Sequence, residues 1–359
     1  MPKPQHREPR QRETVVEDRL GEDKAIPFRY SITSYGADYP VDGLVHRMRE
    51  GDIYVPDFQR SYVWKPRQAS RFIESLLLGL PVPGIFLAKE DKSQKLLVID
   101  GQQRLRTLQY FYSGVFPDTK KPFVLVGVQD QFLDRSYSSL PDHDKRRIND
   151  AIIHATIVRQ DEPSDDESSI YHIFERLNTG GISLEPQEIR SCIYHGPLID
   201  LLKRLNENQS WRTVFGPTSK TGKDQELILR YLAMADAGDT YQRPMKEFLN
   251  RFAASNRHPT PQAVKRFEDG FVGTIELICK ALGRRAFRPA TTLNAAVFDA
   301  VMVGLSKRLG RGNPPAPQMV RRRYESLLKN KEFTGAVVTG TADEERVKRR
   351  LRLATQVFA

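Results

Sequence analysis

Cysteine and tryptophan are scarce in this sequence, two of each in 359 residues. Cys192 and Cys279 have no metal-type spacing, which excludes a disulfide framework and a thiolate zinc site. Both are expected as reduced core residues. No apolar run approaches the length of a membrane span. The charged stretch from Pro4 to Asp23 holds no apolar signal core, so a cytoplasmic protein without a membrane partner is expected. Histidine is also sparse: His6, His46, His143, His154, His172, His195 and His258 are the only ones, and none is paired at ligand spacing. None follows His258, so the rest of the chain offers no His-dependent metal nuclease. His154 falls inside an expected strand and reads as structural. The Gly-x-x-x-x-Gly-Lys-Ser/Thr phosphate loop, the Gly-x-Ser-x-Gly elbow and the His-Glu-x-x-His zinc helix are all absent.

What is present is a polar globular composition, 39% hydrophobic and 28% charged, long enough for two domains. The net charge is +11, and the excess is concentrated late in the chain. Thirteen Lys or Arg face five Asp or Glu between Lys307 and Arg352. Arg321, Arg322 and Arg323 form one dense run, and Lys348, Arg349 and Arg350 another. A basic face of this kind binds nucleic acid through phosphates, so these six residues are the expected DNA contacts. A solvated helix surface is the alternative.

The stretch that organises the chain runs from Leu96 to Thr107. Leu96-Leu97-Val98-Ile99 reads as a buried strand. It ends in Asp100-Gly101, and a helix continues from Gln102 through Tyr112. Free backbone N–H groups and the positive end of the helix dipole point into such a turn, which suits a phosphate. Gly101 permits close backbone approach, Gln102 and Gln103 offer amides, and Arg104 offers a planar fork. A strand-to-helix corner with a solvated cap is the plainer alternative.

Around this stretch the pattern is α+β. Residues 1–29 read as a polar tail without structure. Residues 30–165 read as a mixed domain. It has helices over Val41–Glu50, Arg67–Leu78 and Pro141–Asn149, and strands over Ile53–Val55, Ile85–Ala88, Phe123–Val128 and Ile152–Val158. Residues 166–359 read as a helical domain after the acidic junction Asp161–Ser168. A helix over Ile170–Leu177 is expected to stop at Asn178-Thr179-Gly180-Gly181, and another opens near Pro186. From Pro197 on only helices are expected: Leu198–Asn206, Asp224–Ala237, Met245–Ala254, Pro261–Leu282, Leu293–Leu309, Gln318–Asn330 and Ala342–Thr355. The last opens on a capping-box pattern from Thr341 to Glu344. The segment Pro56–Trp64 carries three aromatics, with Gln59 and Arg60 among them, and such neighbours fix an arginine for a phosphate or base contact.

Three segments together carry a resemblance. They are Pro56-Asp57-Phe58-Gln59-Arg60-Ser61-Tyr62-Val63-Trp64, Ile99-Asp100-Gly101-Gln102-Gln103-Arg104, and Phe174–Gly181 with Leu184-Glu185-Pro186-Gln187-Glu188. In this order the chain resembles the N-terminal domain of GmrSD-type, modification-dependent restriction endonucleases, of the ParB/sulfiredoxin-like superfamily, from about Val41 to Leu305. The resemblance implies a ParB/sulfiredoxin-like mixed domain followed by an all-helical one. It implies nucleoside triphosphate binding or hydrolysis, DNA processing and phage defence. It puts the ParB phosphate box on Gly101, Gln102, Gln103, Arg104 and Arg106. It puts the following Asn on Asn178, beside Gly180, while the arginine between the boxes falls on Gly181. Longer relatives carry an HNH nuclease, which this sequence lacks on the histidine argument, so a nuclease or modification-enzyme partner is implied.

The resulting expectation is a nucleotide-dependent, DNA-interacting component of a restriction or phage-defence system. Gln59, Arg60, Gly101, Gln102, Gln103, Arg106, Asn178 and Gly180 would bind the nucleotide. Asp100 and Arg104 would act on it, with Asp100 holding a Mg²⁺ or orienting water. Asp100 as a plain helix cap is the alternative. Two other functions stay open: a non-catalytic, nucleotide-gated binding module, and a ParB-like nicking nuclease.

Overall fold

The computed structural model describes residues 15–16, 31–55, 62–90, 93–117, 119–162, 171–173, 175 and 185–359. It divides into two compact units. One spans 28–193, and the other is built mainly from 194–359. The boundary therefore falls after Ile193, later than the expected 165. The two residues described in the stretch expected as a tail, Val15–Val16 (β1), pair in parallel with Leu293–Asn294 of the second unit.

The first unit is α+β. Its strands are Ser31–Pro40 (β2), Ile53–Tyr54 (β3), Ile85–Lys89 (β4), Leu96–Asp100 (β5) and Ile152–Glu162 (β6). They form one mixed sheet in the order β2-β6-β4-β5-β3. β2 runs antiparallel to β6 and β4 antiparallel to β5; β6 and β4, and β5 and β3, are parallel. Its helices include Val41–Glu50 (α1), Pro66–Leu77 (α2), Gln102–Ser113 (α3), Asp142–Asp150 (α4) and Pro186–Ile193 (α5), and residues 171–173 and 175 are helical as well.

Side-chain periodicity explains how sheet and helices close on one core. Ile153, Ala155 and Ile157 alternate inward along β6, as a period of two requires. Ala69, Phe72, Ile73, Leu76 and Leu77 form one stripe along α2, and Leu105, Leu108 and Phe111 one along α3. All four residues Leu96–Ile99 are buried, so β5 is covered on both faces, and its uninterrupted apolar run follows from that.

Phe123–Val128 is not a strand. Phe123 and Leu125 are buried, as alternation predicts. Their backbone finds only isolated partners, Gly114 for Phe123 and the Asp134–Arg135 turn for Leu125, so no ladder forms. Gly127, at φ +65°, bends the segment against Arg67.

The second unit contains helices Pro197–Asn206 (α6), Gln209–Phe215 (α7), Lys223–Ala237 (α8), Met245–Ser255 (α9), Pro261–Leu282 (α10), Ala295–Leu309 (α11), Pro317–Lys329 (α12), Lys331–Val338 (α13) and Glu344–Phe358 (α14). Leu293–Asn294 (β7) precedes α11. Asp343, rather than Thr341, caps α14, accepting from the Glu345 and Arg346 N–H groups. The apolar centre includes Trp211, Phe271 and Phe298, with ring centroids 5.7–5.9 Å from Trp211. Through it runs an ionic triad. Arg230 grips Asp299 with two bonds, Nε–Oδ1 at 3.1 Å and Nη2–Oδ2 at 2.7 Å, and Arg350 adds Nη2–Oδ2 at 3.0 Å.

The triad corrects one expected DNA contact. Arg350 is fully buried, bonded to Asp299 and to the Thr341 carbonyl, and meets no solvent phosphate. Burial lowers its pKa, and the Asp299 carboxylate opposes that shift. Both cysteines are free thiols, Cys192 buried and Cys279 half-buried. No described helix is long and apolar enough to cross a membrane.

Candidate phosphate-binding turn

Where β5 hands over to α3, Gly101 takes φ +99°, ψ 6°, a left-handed conformation that side chains rarely adopt. Space forbids a side chain there as well. A Cβ on Gly101 would stand 2.4 Å from Cγ2 of Ile85. The sharp turn and the close packing of β4 against α3 thus both require glycine.

The first helical turn has no side-chain cap. Leu105 N–H closes the first intrahelical bond, to the Gly101 carbonyl. The N–H groups of Gln103 and Arg104 have no acceptor among the described residues. They point along the positive end of a helix of twelve residues.

Asp100 does not cap this turn. Its Oδ2 instead accepts from Nη2 of Arg104 at 2.8 Å. The same Nη2 donates to the Gly84 carbonyl at 3.0 Å, which fixes the guanidinium at the entry to β4. Arg104 is 16% exposed and Asp100 50%. Nε of Arg104 is buried without a hydrogen-bond partner among the described residues. The fork therefore keeps donor capacity while the carboxylate faces solvent.

Gln103 works in the other direction. Its Oε1 accepts the N–H groups of Val63 (3.0 Å) and Trp64 (3.3 Å), tying the end of the aromatic-rich segment to α3. Next to it, Tyr62 Oη and Thr107 Oγ1 share a hydrogen bond of 2.8 Å. The Tyr62 ring meets Tyr110 edge-on at 5.0 Å, and burial pushes its pKa up to about 12.

The turn therefore gathers Asp100, Gly101, Gln103 and Arg104, and Gln102 opens the helix. Arg106 lies two residues beyond Arg104, about 200° round the helix axis. It is half-buried, and its side chain makes no hydrogen bond or ion pair with a described residue. Gln59, Arg60, Asn178 and Gly180 lie outside the described residues. Among the described residues, no group of three or more His, Cys, Asp or Glu side chains is placed to hold a metal ion.

One histidine has a partner across the sheet that the sequence reading did not name. His154 faces away from the core between Ile153 and Ala155, and its Nδ1 lies 2.8 Å from Oδ1 of Asp38. Asp38 is its direct partner in the β2–β6 register. The alternation of Ile153, Ala155 and Ile157 was the available signal, because it puts residue 154 on the opposite face.

In the second unit, Lys348 and Arg349 are exposed on α14, as Arg321 and Arg322 are on α12. Arg321 Nε also donates to the Ala281 carbonyl at 2.8 Å, and Arg323 Nη1 to the Phe358 carbonyl at 2.7 Å. These two arginines satisfy the last turns of α10 and α14, where cations are favoured. A separate cleft of about 990 Å³ lies between α8, α10 and the Pro314–Pro317 turn, lined by Tyr231, Asp236, Arg266 and Ser306 among others.

Residues 41–195 match the family model of the GmrSD restriction endonuclease, N-terminal domain. The expected likeness to this family is thereby shown over residues 41–195, short of the expected Leu305 and nearly coincident with the first unit. An uncharacterized protein of Methanocaldococcus jannaschii is 34% identical over 107 residues, covering 22% of this chain. The chain spans only 18% of that relative's length.

Proposed function

We propose that the first unit binds the phosphates of a nucleoside triphosphate at the Gly101 turn and that the chain serves a DNA restriction or phage-defence system. The single observation that carries the nucleotide reading is the uncapped start of α3. It combines a glycine that only glycine can replace, free N–H donors and an anchored arginine. The family match supports the restriction setting, and the +11 charge with exposed Lys348 and Arg349 supports contact with DNA.

The residues fit a polyphosphate with a divalent cation. Phosphate oxygens would accept from the Gln103 and Arg104 N–H groups and from the Arg104 fork. Asp100 is half-exposed and acceptor-only when ionised. A Mg²⁺ there would draw its other ligands from phosphate and water, as Mg²⁺ sites commonly do. That ligation would compete with the Asp100–Arg104 pair and turn the arginine toward the phosphates. Bound alone, the arginine's charge is offset by Asp100, so affinity is expected to rise with Mg²⁺.

Calorimetry on the full chain with ATP, GTP and CTP, with and without Mg²⁺, tests this reading. Binding of one of them, strengthened by Mg²⁺ and lost in Arg104→Ala, supports it. A chain that binds none of them refutes it.

A further inference from the structure

We propose that the groove between α11, α14 and the end of α8 docks the phosphate backbone of duplex DNA, with Lys307, Lys348 and Arg352 as its phosphate contacts. This inference rests on the reading of the chain as a DNA-contacting protein and says where on the second unit that contact is made.

The fold sorts the late basic residues by what they already hold. Thirteen cations lie between Lys307 and Arg352. Arg308, Arg321, Arg323 and Arg346 are each anchored to a backbone carbonyl, those of Gly312, Ala281, Phe358 and Thr339 in turn. Arg350 belongs to the buried triad. Lys307, Lys348 and Arg352 are exposed, and their side chains make no hydrogen bond or ion pair with a described residue. These three line one groove of about 310 Å³.

Helical spacing and close packing bring them together. Lys348, Arg352 and Gln356 recur every four residues, so they share one face of α14 at intervals of about 6 Å. A side chain at Gly304 would stand 2.8 Å from the carbonyl carbon of Ala354, so glycine there lets α11 lie close against the α14 backbone. Lys307 follows one turn later and lines the groove from the α11 side. Buried Met234 and Leu351 line it too, an apolar surface on which lysine and arginine stems pack while their charges stay in water.

The charge balance of the groove favours an anion. Its carboxylates are Asp236 and Asp239. Asp236 accepts from Nη2 of Arg266 at 2.6 Å, which leaves Asp239 against three cations. Farther up α14 the charges are matched. Glu344, one turn before Lys348, accepts from the Arg243 N–H at 3.0 Å and lies 3.6 Å from its Nε. The unmatched charge is therefore confined to the second half of the helix. Like charges one turn apart repel, and a polyanion laid along them relieves that repulsion and releases its own counterions. Two cations on one helix face and a third across the groove fit successive phosphates of a strand better than a single anion. The Gln356 amide adds a neutral donor. The Thr355 hydroxyl does not, since it donates to the Leu351 carbonyl at 2.8 Å. Contacts of this kind position the duplex without reading its sequence.

The test measures binding of a short labelled duplex to the full chain by fluorescence anisotropy, between about 50 and 200 mM salt. A variant carrying Lys307→Gln, Lys348→Gln and Arg352→Gln is expected to bind about tenfold more weakly or worse at the lowest salt, and to lose about 2–3 from the slope of log affinity against log salt. A control carrying Arg311→Gln, Lys329→Gln and Lys331→Gln removes the same charge from exposed positions outside the groove. Its slope is expected to change by less than about one. Asp239→Asn is expected to tighten binding about twofold, because it removes an anion from the groove wall. All seven side chains are exposed, and thermal melts check that the fold is kept. If the groove variant keeps the unaltered affinity and slope, or the control loses as much, the inference is overturned while DNA contact stands. Poly-glutamate that displaces the duplex as readily as unlabelled DNA does would make the groove a site for acidic protein and also overturn it. If the unaltered chain binds no duplex, the reading of the chain as DNA-contacting fails and this inference with it.

Discussion

Arg104 reaches back one helical turn to Asp100, and the two are joined by a single 2.8 Å bond at the mouth of the strand-to-helix turn. The pair stores an arginine next to free helix N–H groups with its charge partly offset. Removing the carboxylate should therefore release the arginine. Asp100→Asn is expected to tighten phosphate or nucleotide binding in the absence of Mg²⁺ and to weaken the Mg²⁺ dependence. Calorimetry at matched ionic strength, with and without the cation, measures both. Unchanged cation dependence would remove Asp100 from the proposed role.

Arg104→Lys is expected to lose about tenfold or more in nucleotide affinity although the charge is kept. The planar fork serves the Gly84 carbonyl and Asp100, in the proposed site it would serve an anion as well, and an ammonium cannot reproduce that geometry. A charge-assisted bond is worth about 1.5–3 kcal/mol. Affinity equal to that of the unaltered chain would show that position 104 needs only a charge.

Gly101→Ala is expected to lower stability by more than about 1 kcal/mol. The cost comes from the left-handed backbone and from the collision with Ile85. Urea unfolding measures it. The substitution should also push α3 from β4, so phosphate binding should fall with it.

Asp299→Ala is expected to cost about 3–5 kcal/mol of stability, because it leaves Arg230 and Arg350 buried without their carboxylate. Replacing all three triad residues with apolar ones of similar volume should cost far less. Arg350→Ala should unfold the helical unit rather than act on DNA. Lys348→Ala and Arg349→Ala should instead leave stability unchanged and lower the salt dependence of DNA binding by about one counterion each. Thermal melts and titrations at several salt concentrations separate these outcomes.

Alkaline pH should weaken the first unit. Burial raises the Tyr62 pKa to about 12 from its ordinary value of 10, with the Thr107 hydrogen bond opposing the shift. The unfolded chain therefore loses this proton first, and the associated stability is intact below pH 10 and is lost as pH rises toward about 12. Tyr62→Phe is expected to flatten that decline in an unfolding series from pH 9 to 12. An unaltered slope would mean that Tyr62 titrates like an exposed tyrosine.

The sequence alone determined the elements whose residues repeat in register with their own geometry. Val41–Glu50 and Pro261–Leu282 have the expected bounds, because their apolar stripes and end residues are local signals. The buried run before Asp100-Gly101, and the helix after it, were legible for the same reason. β2 was not, since it is an edge strand with one polar face, interrupted by Gly36 and ended by Pro40. The short helices Gln209–Phe215 and Lys331–Val338 carry too few turns for periodicity to stand out. Only the tertiary structure decided which charges are available. Lys348, Arg349 and Arg350 are adjacent in sequence. Arg350 shares the inward face of α14 with Val347, Leu351 and Ala354, where Asp299 receives it, while its two neighbours point to solvent. The pairing of His154 with Asp38 has the same origin. Residues more than a hundred positions apart meet only when strand register is set, and register depends on the packing of the whole sheet against its core.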